Sequence, residues 1–363
     1  MENPEVVIVG GGPAGAWCAY LLARAGVQVT LVHWSGYAPG GIELVSGRTR
    51  RQIEQHCPNF FQLAAPGVEI RETISRWSTP EPVVLSAMFN PWGPGIAVER
   101  AVFDHALRDL ASTGGVDVRA DAKVVGIERE ADAGWKLSVR LEEDKISSLR
   151  TEFVVLATGR AATSFLDRSA APESSKIALM TSLPVTNDKP QHTLYVERTS
   201  HGWWYALPAQ DGCCFAGFCL ERDELKKRRG SLKEFYIEQL RGTKLLAPLL
   251  PHALDMGDSH ILGRMAGDRP FGRTAGDRWI AVGDAAYAPD PLSGMGIELA
   301  LESARLGAHA VSDAMNLNRK TVNSNVAFAE YDAAMREHAR EHHRAAALNY
   351  GWQESWSAGR LGE

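Results

Sequence analysis

Nowhere in these 363 residues do apolar side chains run unbroken for the roughly 18 positions that a membrane-crossing helix needs. The first strand-like run starts at residue 6 and leaves no room for a secretory leader, so the expected setting is the cytoplasm, with no membrane partner. Cysteine is scarce as well. Cys18, Cys57, Cys213, Cys214 and Cys219 are odd in number and lack C-x-x-C spacing, which argues against a disulfide framework and a thiolate zinc site. Three of them sit in the apolar run GCCFAGFCL and read as small buried hydrophobes. Basic charge is outnumbered, 39 Lys and Arg against 44 Asp and Glu, and a net charge of −5 offers no surface suited to nucleic acid. The local run Lys226, Lys227, Arg228 and Arg229 reads as a solvated helix face. His338 and His342 have zinc-binding spacing, but their neighbours Arg336, Glu337, Arg340 and Glu341 make them part of another solvated face, and no metal is expected. Lysine is missing altogether before Lys123. The 45% hydrophobic content is that of a folded chain able to bury one large core or two modest ones.

What is present is most informative at residues 6–32, VVIVGGGPAGAWCAYLLARAGVQVTLV. An apolar strand runs into Gly10-x-Gly12-x-x-Gly15, an alanine-rich helix and a second apolar strand, which is the order of a dinucleotide-binding βαβ unit. Gly10 permits the tight turn, Gly12 lets a pyrophosphate approach the main chain, and Gly15 lets helix and strand pack closely. The phosphates then face the positive end of the helix. Two more segments share this character. TEFVVLATGR, residues 151–160, is a buried strand ending in a small-residue turn. GDAAYAPDPLSGMGIELALESA, residues 283–304, follows the apolar run 279–282 and opens a second ligand-facing helix with a glycine-rich turn.

Together these three motifs resemble the FAD fingerprint of the p-hydroxybenzoate-hydroxylase-like flavoproteins. The resemblance implies an α/β fold: a Rossmann-like FAD-binding domain of the glutathione-reductase/hydroxylase type, an antiparallel-sheet α+β substrate domain and C-terminal helices. It implies FAD held at Gly10, Gly12, Pro13, Ala14 and Gly15, at Thr158 and Gly159, and at Gly283 and Asp284, the latter on the ribitol chain. Pro291, Gly294, Met295 and Gly296 would face the isoalloxazine, whose reduced, negatively charged form a helix N-terminus stabilises. Arg48, Arg100 and Val124 are further cofactor positions by the same likeness. One position departs from it. The acidic residue that usually ends the second strand and bonds the adenosine ribose is replaced by His33, followed by Trp34. Neutral histidine still accepts one hydrogen bond.

The scatter of the motifs makes the cofactor domain discontinuous, over 1–75, 96–162 and 262–320, with the substrate domain at 76–95 and 163–261 and a helical segment at 321–363. Residues 193–220 alternate aromatic and β-branched runs with turns and predict an antiparallel meander. Ser231 and Glu234 form a capping box for the helix SLKEFYIEQL. Residues 76–95, rich in Trp and Pro, are expected to cross into this sheet, and 99–111 carries helical apolar spacing.

No second dinucleotide fold appears, so electrons are expected from transient NAD(P)H contact or from a partner reductase. In the flavoproteins that this chain resembles, reduced flavin and molecular oxygen give a C4a-hydroperoxide that hydroxylates an electron-rich aromatic ring. Two subfamilies compete. GWWYALP, residues 202–208, looks like the Gly-Trp-x-Trp-x-Ile-Pro segment of flavin-dependent halogenases, and Glu43 matches the acid of their early loop. Those enzymes need a lysine after the second strand, and none exists there. The stronger likeness is to halogenase-like flavoproteins that mature tryptophylquinone enzymes, the companions of lysine oxidase, glycine oxidase and quinohemoprotein amine dehydrogenase. They share the strand, the AVGDAA-x-x-x-DPLSG-x-G run and an aromatic and basic tail, here Tyr350, Trp352, Trp356 and Arg360. This likeness implies hydroxylation of a tryptophan in a precursor protein. A small phenolic or indolic substrate, geranylgeranyl-reductase-like chemistry and a non-catalytic flavin-binding chaperone stay open. Trp203 and Trp204 alternate faces in a strand, so at most one lines a pocket, and Trp204 is the catalytic-site candidate. His201, Asp290 and Glu197 are candidate proton handlers, and Trp17 is expected at a domain boundary.

Overall fold

Apolar runs without polar alternation mark strands covered on both faces. In the computed structural model, which describes residues 3–35, 40–130, 134–141, 144–160, 175–185, 192–228, 230–250, 260–268, 272–319 and 325–350, three such runs are buried at every position: Val6–Val9, Val29–Val32 and Phe153–Leu156. Val6–Val9 pairs in parallel with both of the others. Trp279–Ala281 extends the sheet in parallel beside Phe153–Leu156, and Asp117–Arg119 does so beside Val29–Val32. Ala275–Gly276 closes one edge antiparallel. Successive strands after Val6–Val9 move outward on one side, and the chain then returns to its other side at Phe153–Leu156. The point where strand order reverses, beyond the C-terminal ends of these two neighbours, is where open α/β sheets bind ligands.

The chain divides into two compact units, one of residues 1–38, 104–173 and 268–363, the other of 39–103 and 174–267. The parallel sheet lies in the first, with an antiparallel meander of Lys123–Arg129, Trp135–Arg140 and Ile146–Thr151. Helix Pro13–Arg24 packs against the long helix Gly296–Arg319, which also carries helix Asn325–Tyr350. That last helix is fixed by polar contacts. Tyr331 Oη donates to the Ala281 carbonyl at 2.6 Å. The Thr274 amide and hydroxyl both donate to Asp332, at 3.0 and 2.6 Å. Trp17 is buried here, stacked on Tyr20 with ring centroids 5.4 Å apart.

In the second unit a seven-stranded sheet has the spatial order Leu262–Met265, Lys176–Pro184, Cys213–Glu221, Gly202–Pro208, Thr193–Arg198, Glu72–Arg76, Val83–Ser86. Its centre is the antiparallel meander that the alternation of residues 193–220 predicts. Residues 76–95 do enter this sheet, at Val83–Ser86, but Glu72–Arg76 has already joined it, parallel to Thr193–Arg198. A smaller sheet pairs Gly95–Glu99 with both Ile42–Val45 and Gly67–Ile70. That pairing groups 39–75 and 96–103 with the second unit, although the motif order placed them with the cofactor domain. The capping box of helix Leu232–Arg241 is complete, and Tyr236 Oη from that helix donates to the Ala216 carbonyl at 2.8 Å. Helix Arg100–Thr113 covers the span of the predicted one. Arg229, Trp352, Trp356 and Arg360 lie outside the described residues.

Two outcomes follow for stability. Trp204 is wholly buried and stacks on Phe218 at 4.6 Å, so Trp204→Ala is expected to cost about 3–5 kcal/mol in chemical denaturation. Burial would raise the Asp332 carboxyl, but hydrogen bonds from Thr274 and Arg336 outweigh it and hold the group below the usual carboxylate range. A depressed folded pKa confers stability that is full above the unfolded value and fades as pH falls through the folded one. Asp332→Asn should therefore lose stability less steeply than the wild type between about pH 4 and pH 2, followed by circular dichroism.

Candidate functional site

The glycine turn leaves no space for side chains at two points. Gly10 has φ 114°, and a Cβ there would lie 2.3 Å from the Ala157 carbonyl oxygen. A Cβ on Gly15 would lie 1.9 Å from the Gly10 carbonyl oxygen. Gly12 is different: its backbone is extended, and an added Cβ would meet nothing within 4 Å. Gly12 is also the N-cap of helix Pro13–Arg24, which has no side-chain cap and no acid in its first turn. Pro13 occupies the position where a helix needs no amide hydrogen. The first intrahelical bond is that of the Ala16 amide to Gly12, so the Ala14 and Gly15 amides lie ahead of the ladder, next to the open space at Gly12. Unbonded amides at the positive end of a helix suit a phosphate.

The turn after Phe153–Leu156 adds Thr158, whose buried hydroxyl has no hydrogen-bond partner among the described residues, and Gly159 at φ 60°. Arg160 holds Asp284 at 3.3 Å. Asp284 sits in a 3-10 turn, Gly283–Ala285, whose Gly283 amide donates to Ser303 Oγ at 2.8 Å. A second turn, Pro291–Ser293, ends at Gly294 with φ 62°, and helix Gly296–Arg319 starts two residues later. Added Cβ atoms at Gly294 and Gly296 would again meet nothing within 4 Å. Met295 between them donates its amide to Ser293 Oγ at 3.3 Å. Asp290 is 4% exposed and accepts from the Leu292 amide at 2.9 Å and from Tyr350 Oη at 3.0 Å, so it caps its turn and ties down the end of helix Asn325–Tyr350. Val124 is buried in the meander opposite Val139.

His33 packs against the glycine turn. A Cβ on Gly11 would fall 2.7 Å from the imidazole Cγ, so this third glycine, outside the G-x-G-x-x-G pattern, is required by the ring. Its backbone is fixed on both sides, the amide bonded to Arg119 O at 2.9 Å and the carbonyl to the Ala122 amide at 3.0 Å. Arg108, a residue the motifs do not single out, reaches the same turn, its Nη1 2.9 Å from the Gly11 carbonyl oxygen. Burial, then the Arg108 cation, hold the His33 imidazole below its ordinary pKa, so it is neutral at neutral pH.

In the second unit, Glu43 and Arg100 form a 2.7 Å ion pair, and the Arg100 amide bonds Gly41 O at 3.0 Å. Arg48 lies over the Trp92 ring. Trp204 packs between Phe218 and Tyr236 with its indole nitrogen lacking a partner among the described residues. Its neighbour Trp203 faces Trp77 and Tyr205 instead. His201 makes a surface pair with Glu224 at 3.3 Å. Glu197, 1% exposed, accepts from the Lys244 and Leu245 amides at 2.7 and 2.8 Å and from Arg76 at 3.3 Å, the pattern of a structural anchor.

Residues 5–167 match the family described as FAD dependent oxidoreductase. A tryptophan 2-halogenase of Chondromyces crocatus is 27% identical over 340 residues, 85% of this chain, which spans 61% of the halogenase's length. A putative FAD-dependent oxidoreductase of Marinomonas mediterranea, LodB, is 23% identical over 98% of this chain and 95% of its own. The solved structure of QhpG, a peptidyl tryptophan dihydroxylase essential for tryptophylquinone cofactor biogenesis, has a TM-score of 0.73 and 25% identity, covering 100% of this chain and 77% of that one. Gly12→Ala tests the turn directly: since its Cβ meets no protein atom, the unliganded melting temperature should stay as in the wild type, while flavin retained on purification falls sharply. The glycine turn and the three central parallel strands, Val6–Val9, Val29–Val32 and Phe153–Leu156, all fall within the residues that match the family described as FAD dependent oxidoreductase.

Proposed function

We propose that this chain is an FAD-dependent monooxygenase that hydroxylates an aromatic ring, and that the ring is a tryptophan side chain of a precursor protein. The observation that carries the reading is likeness, over the whole of this chain and 77% of the other, to a peptidyl tryptophan dihydroxylase, in a chain without any lysine before Lys123. Halogenation is the second reading, favoured by the identity to the tryptophan 2-halogenase. It is disfavoured by the missing ammonium group.

The residues present fit FAD. Open space stands before Gly12, Gly294 and Gly296, and the Thr158 hydroxyl is buried without a partner. In this reading Gly10, Gly12, Pro13, Ala14 and Gly15 receive the pyrophosphate, with Thr158 and Gly159 beside it. Gly283 and Asp284, the latter held by Arg160, take the ribitol chain, and Pro291, Gly294, Met295 and Gly296 take the ring's pyrimidine edge. Arg48, Arg100 and Val124 are assigned to the cofactor by resemblance alone. Bound FAD supplies electrons and the means to activate molecular oxygen. The amides at the start of Gly296–Arg319 stabilise negative charge placed before them. In the second unit Trp77, Trp203 and Tyr205 form an aromatic cluster suited to an aromatic substrate, with Trp203 6.2 Å from Trp77 and 5.9 Å from Tyr205. Burial holds the Tyr205 phenol far above its usual pKa, so it stays protonated at neutral pH. Electrons come from NAD(P)H or a partner reductase.

Co-expression with candidate precursor proteins under air, followed by peptide mass spectrometry, tests the proposal. The expected result is one or two oxygen atoms added to a single tryptophan, absent when Gly12→Ala replaces the wild type. Unmodified precursors beside a flavin-loaded chain that hydroxylates free phenols or indoles would sink the precursor-protein reading, and chloride or bromide incorporation would establish halogenation.

A further inference from the structure

We propose that Arg108 and His33 together hold the adenosine ribose and adjoining phosphate of FAD, replacing the carboxylate that this position carries in dinucleotide-binding folds generally. The proposal rests on the FAD reading above and adds to it a residue, Arg108, that no motif marks.

Three observations converge. The first is position: His33 directly follows the second strand of the βαβ unit, and its ring is pressed on Gly11, inside the glycine turn. The second is unused hydrogen-bonding capacity. Arg108 is half-buried and, among the described residues, bonds only the Gly11 carbonyl, leaving most of its five N–H groups available. Neither ring nitrogen of His33 has a partner among them. A partly desolvated guanidinium with no anion hydrogen-bonded to it is costly, and a phosphate or ribose oxygen completes it. The third is charge. Asp104 and Asp109 on its own helix face Arg108 without bonding it. Asp121 and His105 face His33 along with Arg108, and Asp121 is already bonded to Ser35. A carboxylate at position 33 would sit beside Arg108 and pair with it. Neutral imidazole leaves the cation directed at the ligand, while its own nitrogens meet the ribose hydroxyls.

Titration of the apoprotein with FAD, ADP and FMN separates this role from simple bracing of the turn. Arg108→Met is expected to weaken FAD and ADP by at least about tenfold, the scale of one charge-assisted hydrogen bond, and to flatten the salt dependence of both. FMN, which lacks the adenosine half, should bind as to the wild type. Arg108→Lys should recover part of the loss, and His33→Ala should weaken FAD and ADP several-fold with the salt dependence kept. If Arg108→Met fails to fold by circular dichroism, the Lys variant and His33→Ala decide. Wild-type affinity in both of these, or equal loss of FMN and ADP, overturns the proposal. A wild-type chain that binds neither FAD nor ADP overturns the FAD reading itself.

Discussion

Everything at the cofactor end depends on one close approach. The Gly10 carbonyl, the Gly15 α-carbon and the Ala157 carbonyl lie so near one another that a single methyl group at position 10 or 15 would overlap a backbone oxygen. Two parallel strands and the first helix converge there, and the convergence aims the helix's free amides beyond the sheet. The second helix N-terminus, at Gly296, belongs to the helix that packs on the first, so the two positive ends are positioned by the same contact.

Local patterns were legible where one chain segment carries its own reason. The βαβ unit, the capping box of Ser231 and Glu234 and the 193–220 meander all repeat short-range rules, and the structure contains each of them. What could not be read depends on partners distant in sequence. Residues 39–75 join the second unit because Ile42–Val45 pairs with Gly95–Glu99, more than 50 positions away, and nothing in either strand names the other. Arg108 lies on the polar side of an amphipathic helix, where arginine is ordinary, and only its reach to Gly11 sets it apart. Period-two alternation separated Trp203 from Trp204, but both are buried, because both faces of the sheet are covered at that point.

Three acidic groups that the sequence singles out, two as proton handlers and Glu43 as the acid of the early loop, make structural contacts. Glu197 anchors backbone amides, Asp290 caps a turn and accepts from Tyr350, and Glu43 neutralises Arg100. Carboxylates so engaged are compatible with the proposed reading, in which the cofactor carries the chemistry and the chain positions it.

The strand order has a consequence in time. Val6–Val9 needs Phe153–Leu156 as its neighbour, and that strand in turn needs Trp279–Ala281. A ribosome adding about 5–20 residues each second separates the first of these strands from the last by tens of seconds. From residue 156 until residue 281 the outer edge of Phe153–Leu156 has no permanent partner, while 174–267 emerges and can fold with 39–103. Nascent chains of this protein should therefore hold a finished half beside an open, sticky sheet, and recruit chaperones there until residue 281 is made.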